Sequence, residues 1–304
     1  MKPSLVLAAT AVLPALSEPP APVPAGTYTR DGWELVWSEE FDGSGPPDPA
    51  VWNPEVGYVR NQEPQYYTAG REENAVLRDG CLVITARRES VPNAAYEEGS
   101  GDWRKVRRQS EYTSACLESS PGHLFHYGRI EVRAQMPRTP GAWPAIWMMG
   151  QAVRLPYESP DYRNWPACGE IDILEIWAAR ANKVCTTLPT AKEDVRGWKD
   201  DNHRSFGSAS LDLPDAEAPW NGFHTYTMDW DEHSLYFYYD GRLYDHVDLD
   251  QATLPNGRNP FRLPHFLLLN LALGGWDNAL SPDTVFPMEF RIDYVRHYRR
   301  LPAP

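Results

Sequence analysis

Three carboxylic acids lie within one six-residue apolar stretch of the 304-residue chain. Glu170 and Asp172 are separated by a single isoleucine, and Glu175 follows three residues later. A buried carboxylate is costly unless it has a partner or a chemical role. Hydrolysis of a glycosidic bond uses two such acids, one on each side of the scissile bond. The alternative without catalysis is an acidic sheet face or a cation site.

The spacing of these acids fits one face of a strand only if the strand is irregular. Side chains alternate along a strand, so Glu170 and Asp172 share a face and Glu175 points away. A β-bulge would turn Glu175 back, and bulges are common beside active sites. Ile171 and Ile173 would then face the core. About four strand steps, roughly 13 Å, would separate the two glutamates, which leaves both the retaining and the inverting geometry open.

Apolar and alternating segments, interrupted by proline and glycine, predict an all-β chain. Residues 129–136 alternate between polar and apolar, and residues 265–273 are almost entirely apolar, which is typical of a central strand. Asp240-Gly241 is a favoured two-residue hairpin turn. No long helical periodicity interrupts this pattern. Two stacked antiparallel sheets are the simplest way to bury such strands.

The first residues have the pattern of an export signal. Residues 1–17 carry one lysine and a short apolar segment, so we predict a cleaved signal peptide and a secreted or periplasmic protein. An uncleaved membrane anchor is the alternative, although the segment is short for a membrane span. We read residues 18–26 as a proline-rich linker and residues 27–304 as a single catalytic domain.

Charge and cysteine content narrow the classes of partner. The formal net charge of −13 disfavours a nucleic-acid partner and, more weakly, a strongly anionic substrate. No membrane partner is expected, and we predict a monomer. The four cysteines form no C-x-x-C pair, which argues against zinc and redox motifs. The four residues could form two disulfides or remain buried free thiols: Cys81, Cys116, Cys168 and Cys185.

Residues 165–175 resemble the active-site strand of glycoside hydrolase family 16, in the laminarinase-like branch with a bulged E-x-D-x-x-E form. The likeness continues along the chain in the family's order. It implies a β-jelly-roll sandwich of two curved antiparallel sheets with a concave substrate cleft. The other matching segments are residues 33–43, 58–67, 127–134, 143–147, 223–226, 270–276 and 292–298.

The resemblance assigns a role to each acid. Glu170 would be the nucleophile and Glu175 the general acid/base, with Asp172 hydrogen-bonded to Glu170. The reaction would be a double displacement with retention of configuration and without a catalytic cofactor. The implied substrate is a β-1,3-glucan or a mixed-linkage glucan. A galactan, or a catalytically silent carbohydrate-binding role, is the alternative.

Substrate contacts follow from the same resemblance. Aromatic planes suit the apolar faces of sugars, and a few polar groups fix their orientation. Trp143, Trp165 and Trp276 match the cleft, although tryptophans more often serve as core packing. A polar set also matches, for which a salt-bridged loop is the alternative: Arg60, Asn61 and Glu63.

Two further features concern a metal ion and a departure from the family. Glu40, Gly80 and Asp293 match a structural calcium site on the convex side, although Asp293 could instead cap a strand end. Pro189 stands where the family often places a histidine after the catalytic strand. This departure leaves open the chemistry on the side of the cleft where the leaving group would bind.

Overall fold

The computed structural model of the chain describes residues 29–30, 32–275 and 278–302. Within these residues strands dominate, and the helices are short 3-10 turns. The strands are β1 (Thr29–Arg30), β2 (Trp33–Glu39), β3 (Asn53–Pro54), β4 (Gln65–Tyr67), β5 (Ala75–Arg78), β6 (Cys81–Ala86), β7 (Tyr112–Ser114), β8 (Cys116–Glu118), β9 (Gly128–Gln135), β10 (Ala142–Gly150), β11 (Glu170–Glu175), β12 (Lys183–Ala191), β13 (His203–Asp212), β14 (His224–Trp230), β15 (Ser234–Tyr239), β16 (Arg242–Asp248), β17 (His265–Leu273) and β18 (Met288–Arg300). The 3-10 helices are Gln151–Arg154, Ala178–Arg180, Asp215–Glu217, Leu249–Ala252 and Pro260–Arg262.

The strands form two large antiparallel sheets, which confirms the predicted sandwich. The first, here called the cleft sheet, has seven strands in the order β13-β12-β11-β10-β17-β8-β3. The second, called the outer sheet, has nine strands, seven of them in the order β1-β2-β18-β9-β14-β15-β16. Strand β6 pairs with β18 and carries β5 at its other side, and β4 and β7 form a small parallel pair.

The core fills the space between the two sheets. Strand β17 is buried along its whole length, as its apolar sequence predicts. Strand β15 alternates instead, with Leu235 and Phe237 fully buried against the cleft sheet. Complete burial of each large apolar side chain contributes roughly 1.5–3 kcal/mol. This packing fixes the register of β11, which carries the three acids.

Two tight turns join hairpins in the outer sheet. Asp240 and Gly241, with φ angles of 46° and 76°, connect β15 to β16 as the sequence predicts. Asp79 and Gly80, with φ angles of 54° and 68°, make the corresponding turn between β5 and β6. Both central residues need positive φ in such turns, which Asp-Gly accommodates.

Several predictions concern thiols, membranes and the N-terminus. All four cysteines are free thiols, so the structure contains no disulfide among them. No helix in the described part of the chain is long and apolar enough to cross a membrane. The predicted signal peptide and linker lie outside the described residues.

Candidate active site

A β-bulge in β11 brings the three acids to one surface. Asp172 lies opposite Trp147 of β10 and Leu174 lies opposite Ile146, so Ile173 is an extra residue without an opposite partner. The bulge predicted from the sequence is therefore confirmed. Ile173 is buried in the core between the sheets. Beyond the bulge, Glu175 faces the same cleft as Glu170 and Asp172.

A tyrosine from the outer sheet supports this bulge. The Tyr244 hydroxyl lies 3.4 Å from the Ile173 carbonyl oxygen and donates to it. Tyr244 is itself an extra residue, because Phe237 pairs with Asp245 and Tyr238 pairs with Leu243. The two irregularities thus face each other across the core. The sequence contains no signal for this contact, since the register of β16 cannot be read from its residue types.

Each of the two glutamates accepts a hydrogen bond from an indole. Trp165 Nε1 donates to Glu170 Oε2 at 2.7 Å, and Trp143 Nε1 donates to Glu175 Oε1 at 3.2 Å. Both tryptophans were predicted as sugar platforms, and both line the cleft. Their N–H groups also fix the orientation of the carboxylates that they contact.

The three acids have different electrostatic surroundings. Burial raises the pKa of Glu170, while the Trp165 N–H, the nearby Arg60 guanidinium and a hydrogen bond with Asp172 oppose that rise. Burial and the charges of Glu170 and Glu175 hold the pKa of Asp172 well above its ordinary value. The hydrogen bond with Glu170 contributes to this rise, which is the direction expected when Asp172 is the donor.

Glu175 is poised near neutrality. Burial, followed by the charge of Glu170, raises the pKa of Glu175 to about 7, although the Trp143 N–H lowers it. A pKa near the working pH suits a group that must both give and take a proton. The groups that oppose the rise at Glu170 are the Trp165 N–H, Arg60 and Asp172, whereas at Glu175 the charge of Glu170 adds to the rise. Different surroundings for two carboxyl groups are the pattern that glycosidases use.

The predicted polar set forms one wall of the cleft. The Arg60 guanidinium pairs with Glu55 and lies over the Trp147 ring, 5.0 Å from its centroid. Asn61 and Gln65 donate to the two oxygens of Glu63 at 3.1 and 2.7 Å. All three residues therefore line the cleft, and Arg60 also takes part in an ion pair.

Trp147 and Trp198 complete the aromatic surface of the cleft, which encloses about 530 Å³. The Trp147 indole donates to Asn270 Oδ1 at 2.7 Å. Trp198 is 62% exposed and stacks on Trp165 with 5.7 Å between ring centroids. Trp198 lies in a polar loop outside the matching segments, so no sequence pattern marks it. Trp276 lies outside the described residues.

Pro189 lies within β12, opposite Ser205 of β13, and is buried. A histidine on β13, the next strand, contacts one of the residues that line the cleft. The His203 ring stacks on Trp165 with 5.2 Å between centroids. A different strand thus supplies an imidazole next to the aromatic platform.

Strand register brings the three predicted calcium ligands into one region of the outer sheet. The Glu40 carboxylate accepts two hydrogen bonds from Arg296, at 3.0 and 2.8 Å, and Asp293 pairs with Arg133 at 2.5 Å. Gly80 lies in the adjacent β5–β6 turn. Within the described residues no group of three or more His, Cys, Asp or Glu side chains is arranged to hold a metal ion. The carboxylates of Glu40 and Asp293 are both paired with arginines, so the calcium site stays a prediction.

Comparisons with known proteins agree with this geometry. The family model "Glycosyl hydrolases family 16" matches residues 62–296. A β-glucanase from Rhodothermus marinus is 37% identical over 275 residues, covering 88% of this chain and 85% of that protein. A solved structure from work on endo-acting O-glycanases with which gut bacteria initiate mucin breakdown matches with a TM-score of 0.79 and 36% identity, over 93% of this chain and 94% of that one. The laminarinase catalytic domain from Thermotoga maritima matches with a TM-score of 0.71 and 33% identity, over 90% and 100% of the two chains. The chain belongs to glycoside hydrolase family 16.

Proposed function

We propose that this enzyme is a retaining endo-glycosidase that hydrolyses β-1,3-glucans or mixed β-1,3/1,4-glucans of the laminarin type. The observation that carries the proposal is the arrangement of three buried acids on the bulged strand β11, with an indole N–H on each glutamate and the pKa of Glu175 raised to about 7. The β-glucanase and laminarinase relatives support a glucan substrate rather than the galactan alternative. Retention of all three acids argues against a catalytically silent binding role.

In the first step Glu170 attacks the anomeric carbon while the bond from that carbon to the glycosidic oxygen breaks. Glu175 gives its proton to the departing oxygen. The products are an alcohol at the leaving sugar and an ester between the substrate and Glu170. The Asp172 proton and the Trp165 N–H hold the Glu170 carboxylate in place for the attack.

In the second step Glu175, now ionised, removes a proton from water as the water oxygen attacks the anomeric carbon. The ester bond breaks, and Glu170 leaves as a carboxylate. Two inversions at one carbon return the original configuration. The cycle restores the proton on Glu175, and the carboxyl groups carry the chemistry without a cofactor.

The deciding experiment measures reducing ends released from a panel of polysaccharides by the wild type and Glu170→Gln. The panel holds laminarin, mixed-linkage β-glucan, agarose, porphyran and a mucin glycoprotein. Release from the β-glucans alone, abolished in Glu170→Gln, is the expected result. The anomer first formed, read by NMR, checks retention. Release from agarose, porphyran or mucin alone would overturn the substrate class.

We also propose that the enzyme is exported to the periplasm or the medium, loses residues 1–17 and acts as a monomer. The N-terminal sequence of residues 1–17 supports export. The intact mass of protein recovered outside the cytoplasm tests cleavage, and light scattering tests the monomer. A recovered mass that includes residues 1–17 would contradict the cleavage.

A structural calcium ion at Glu40, Gly80 and Asp293 is a further proposal from the family resemblance. Calcium prefers carboxylate and carbonyl oxygens, which these residues offer, but the ion would have to displace Arg296 and Arg133. An ion that binds only the folded state raises Tm. The measurement is Tm in calcium and in chelator, for the wild type and Asp293→Asn. Equal wild-type values in the two buffers would refute the site.

A further inference from the structure

A second recess lies on the outer sheet, whereas the cleft lies on the other sheet. We call it the outer groove and define it by Trp33, Val36, Arg129, Asp229, Tyr236 and Tyr238. The groove has a volume of about 800 Å³. Its residues come from β2, β9, β14 and β15, and β18 lies between β2 and β9. Four interstrand spacings make a groove roughly 19 Å long, which is long enough for a short oligosaccharide.

The faces of the outer groove and of the core alternate along each strand. Tyr236 and Tyr238 line the groove, while Leu235, Phe237 and Tyr239 point into the core. Val36 is 46% exposed, although it lies in the middle of β2. These side chains therefore have no packing role in the core that would explain a cluster of three aromatic rings on an outer surface.

An ion pair at the floor holds the aromatic rings in place. Arg129 donates to both oxygens of Asp229, at 2.6 and 2.8 Å. The same guanidinium lies 4.8 Å from the Trp33 ring centroid and 5.8 Å from that of Tyr238. A two-point ion pair of this kind is geometrically specific. The Trp33 and Tyr238 rings are therefore positioned before any ligand arrives.

The charges of the outer groove balance. Arg129 pairs with Asp229, and Arg299 pairs with Glu34 at the groove's edge. Arg300 and Asp231 also line the recess. Three arginines and two carboxylates line the recess, and Glu34, the partner of Arg299 beside it, is the third carboxylate. A surface with no net charge does not select a nucleic acid, a sulfated polymer or an acidic lipid. It suits a neutral ligand with apolar faces and hydroxyl edges.

We propose that the outer groove binds a second segment of neutral β-glucan, separate from the segment in the cleft. Pyranose rings offer their apolar faces to the aromatic rings and their hydroxyls to the polar floor. This proposal rests on the proposed function, because the same polymer would occupy both surfaces. The groove would anchor the enzyme to long or insoluble substrate and leave the hydrolysis of short oligosaccharides unchanged.

The test compares polymer binding with short-substrate activity. Native gels that contain laminarin measure retardation of Glu170→Gln and of the same protein with Trp33→Ala and Tyr236→Ala added. Removing the aromatic residues should weaken polymer affinity by roughly tenfold. Val36→Arg, at an exposed position, obstructs the groove without removing its packing. Tyr157→Ala is the matched control, because Tyr157 is 62% exposed and lines neither the groove nor the cleft.

The same changes are then made in active enzyme. We expect hydrolysis of soluble laminari-oligosaccharides to stay within about twofold, while hydrolysis of insoluble β-1,3-glucan falls several-fold. Equal retardation of all variants, or equal loss in Tyr157→Ala, would overturn the outer groove as a glucan site. Failure of the proposed function looks different, because the wild type would then release nothing from the short oligosaccharides and no protein would be retarded.

Discussion

The outer sheet and the cleft sheet place their carboxylates in opposite surroundings. On the outer sheet Asp229, Asp293 and Glu40 each face an arginine. In the cleft the Arg60 and Arg154 guanidiniums pair with other glutamates, Glu55 and Glu118. The three acids of β11 therefore have indoles and one another as hydrogen-bond partners.

This difference separates structural acids from chemical ones. A carboxylate paired with arginine stays ionised and contributes geometry and a modest free energy of folding. An acid cluster without a paired cation keeps protons that it would otherwise lose, and such protons can be transferred to a substrate. The raised pKa values of three neighbouring acids on one bulged strand support the proposal that β11 carries the reaction.

The largest expected effect comes from Glu175→Gln, which removes the transferable proton. We expect kcat to fall by roughly 10²- to 10⁴-fold. Glu289→Gln on the outer sheet breaks the partly exposed ion pair with Arg78. It should leave kcat unchanged and lower the free energy of unfolding by about 1 kcal/mol or less. Steady-state kinetics and urea denaturation measure both. Comparable kinetic losses in the two variants would break the contrast between the sheets.

Asp172→Asn should cost less than either glutamate substitution. Because burial and the neighbouring glutamates raise the pKa of Asp172, an asparagine that donates N–H to Glu170 should preserve much of the interaction. We expect kcat to fall by roughly tenfold, since the donor is kept but is a weaker partner for the carboxylate. A loss as large as that of Glu175→Gln would show that Asp172 acts in its ionised form.

The pH dependence of kcat/KM tests how one indole, that of Trp143, affects an acid of the cleft sheet. Activity needs Glu175 protonated, so kcat/KM should decline as the pH rises through about 7. The Trp143 N–H lowers the pKa of Glu175, so Trp143→Phe should move this alkaline limb to higher pH. Trp147→Phe is the matched control, because its N–H bonds Asn270. An alkaline limb that stays at the same pH in Trp143→Phe, or that moves equally in both variants, would contradict this role of the Trp143 N–H.

The smallest effect is expected from Tyr244→Phe. The change removes the hydroxyl that donates to Ile173 in the bulge, which costs about 1 kcal/mol of unfolding free energy. Glu175 would then be held less firmly, so kcat should fall a few-fold with KM unchanged. Tyr226→Phe is the control, since no described residue contacts the buried Tyr226 hydroxyl through a hydrogen bond. Equal kinetic effects would remove Tyr244 from any positioning role.

The sequence was sufficient for the fold and for the central strand. Alternating polar and apolar residues, interrupted by proline and glycine, predicted the sheets. The spacing of Glu170, Asp172 and Glu175 predicted a bulge that the structure contains. These features are local, because strand periodicity and carboxylate spacing are written in consecutive residues. The family resemblance supplied the candidate roles of the acids.

The rest of the site depends on contacts between distant segments. Trp198 reaches the cleft from a loop, and His203 approaches Trp165 from β13, so no short pattern marks either residue. Tyr244 contacts Ile173 only because two registers shift together across the core. The arginine partners of Glu40 and Asp293 likewise follow from strand pairing. Such contacts are set by packing rather than by residue type.

The facing bulges make the length of β11 as important as its composition. Loss of Ile173 would restore regular alternation and would still leave Glu175 on the cleft face, because Ile173 is the extra residue of the bulge. The hydroxyl of Tyr244, the extra residue of β16, would then lose the carbonyl oxygen that accepts its hydrogen bond. Loss of Ile173 is therefore expected to remove this support of the strand without turning Glu175 away from the cleft. An engineer who recombines family members should exchange β11 and β16 as one unit.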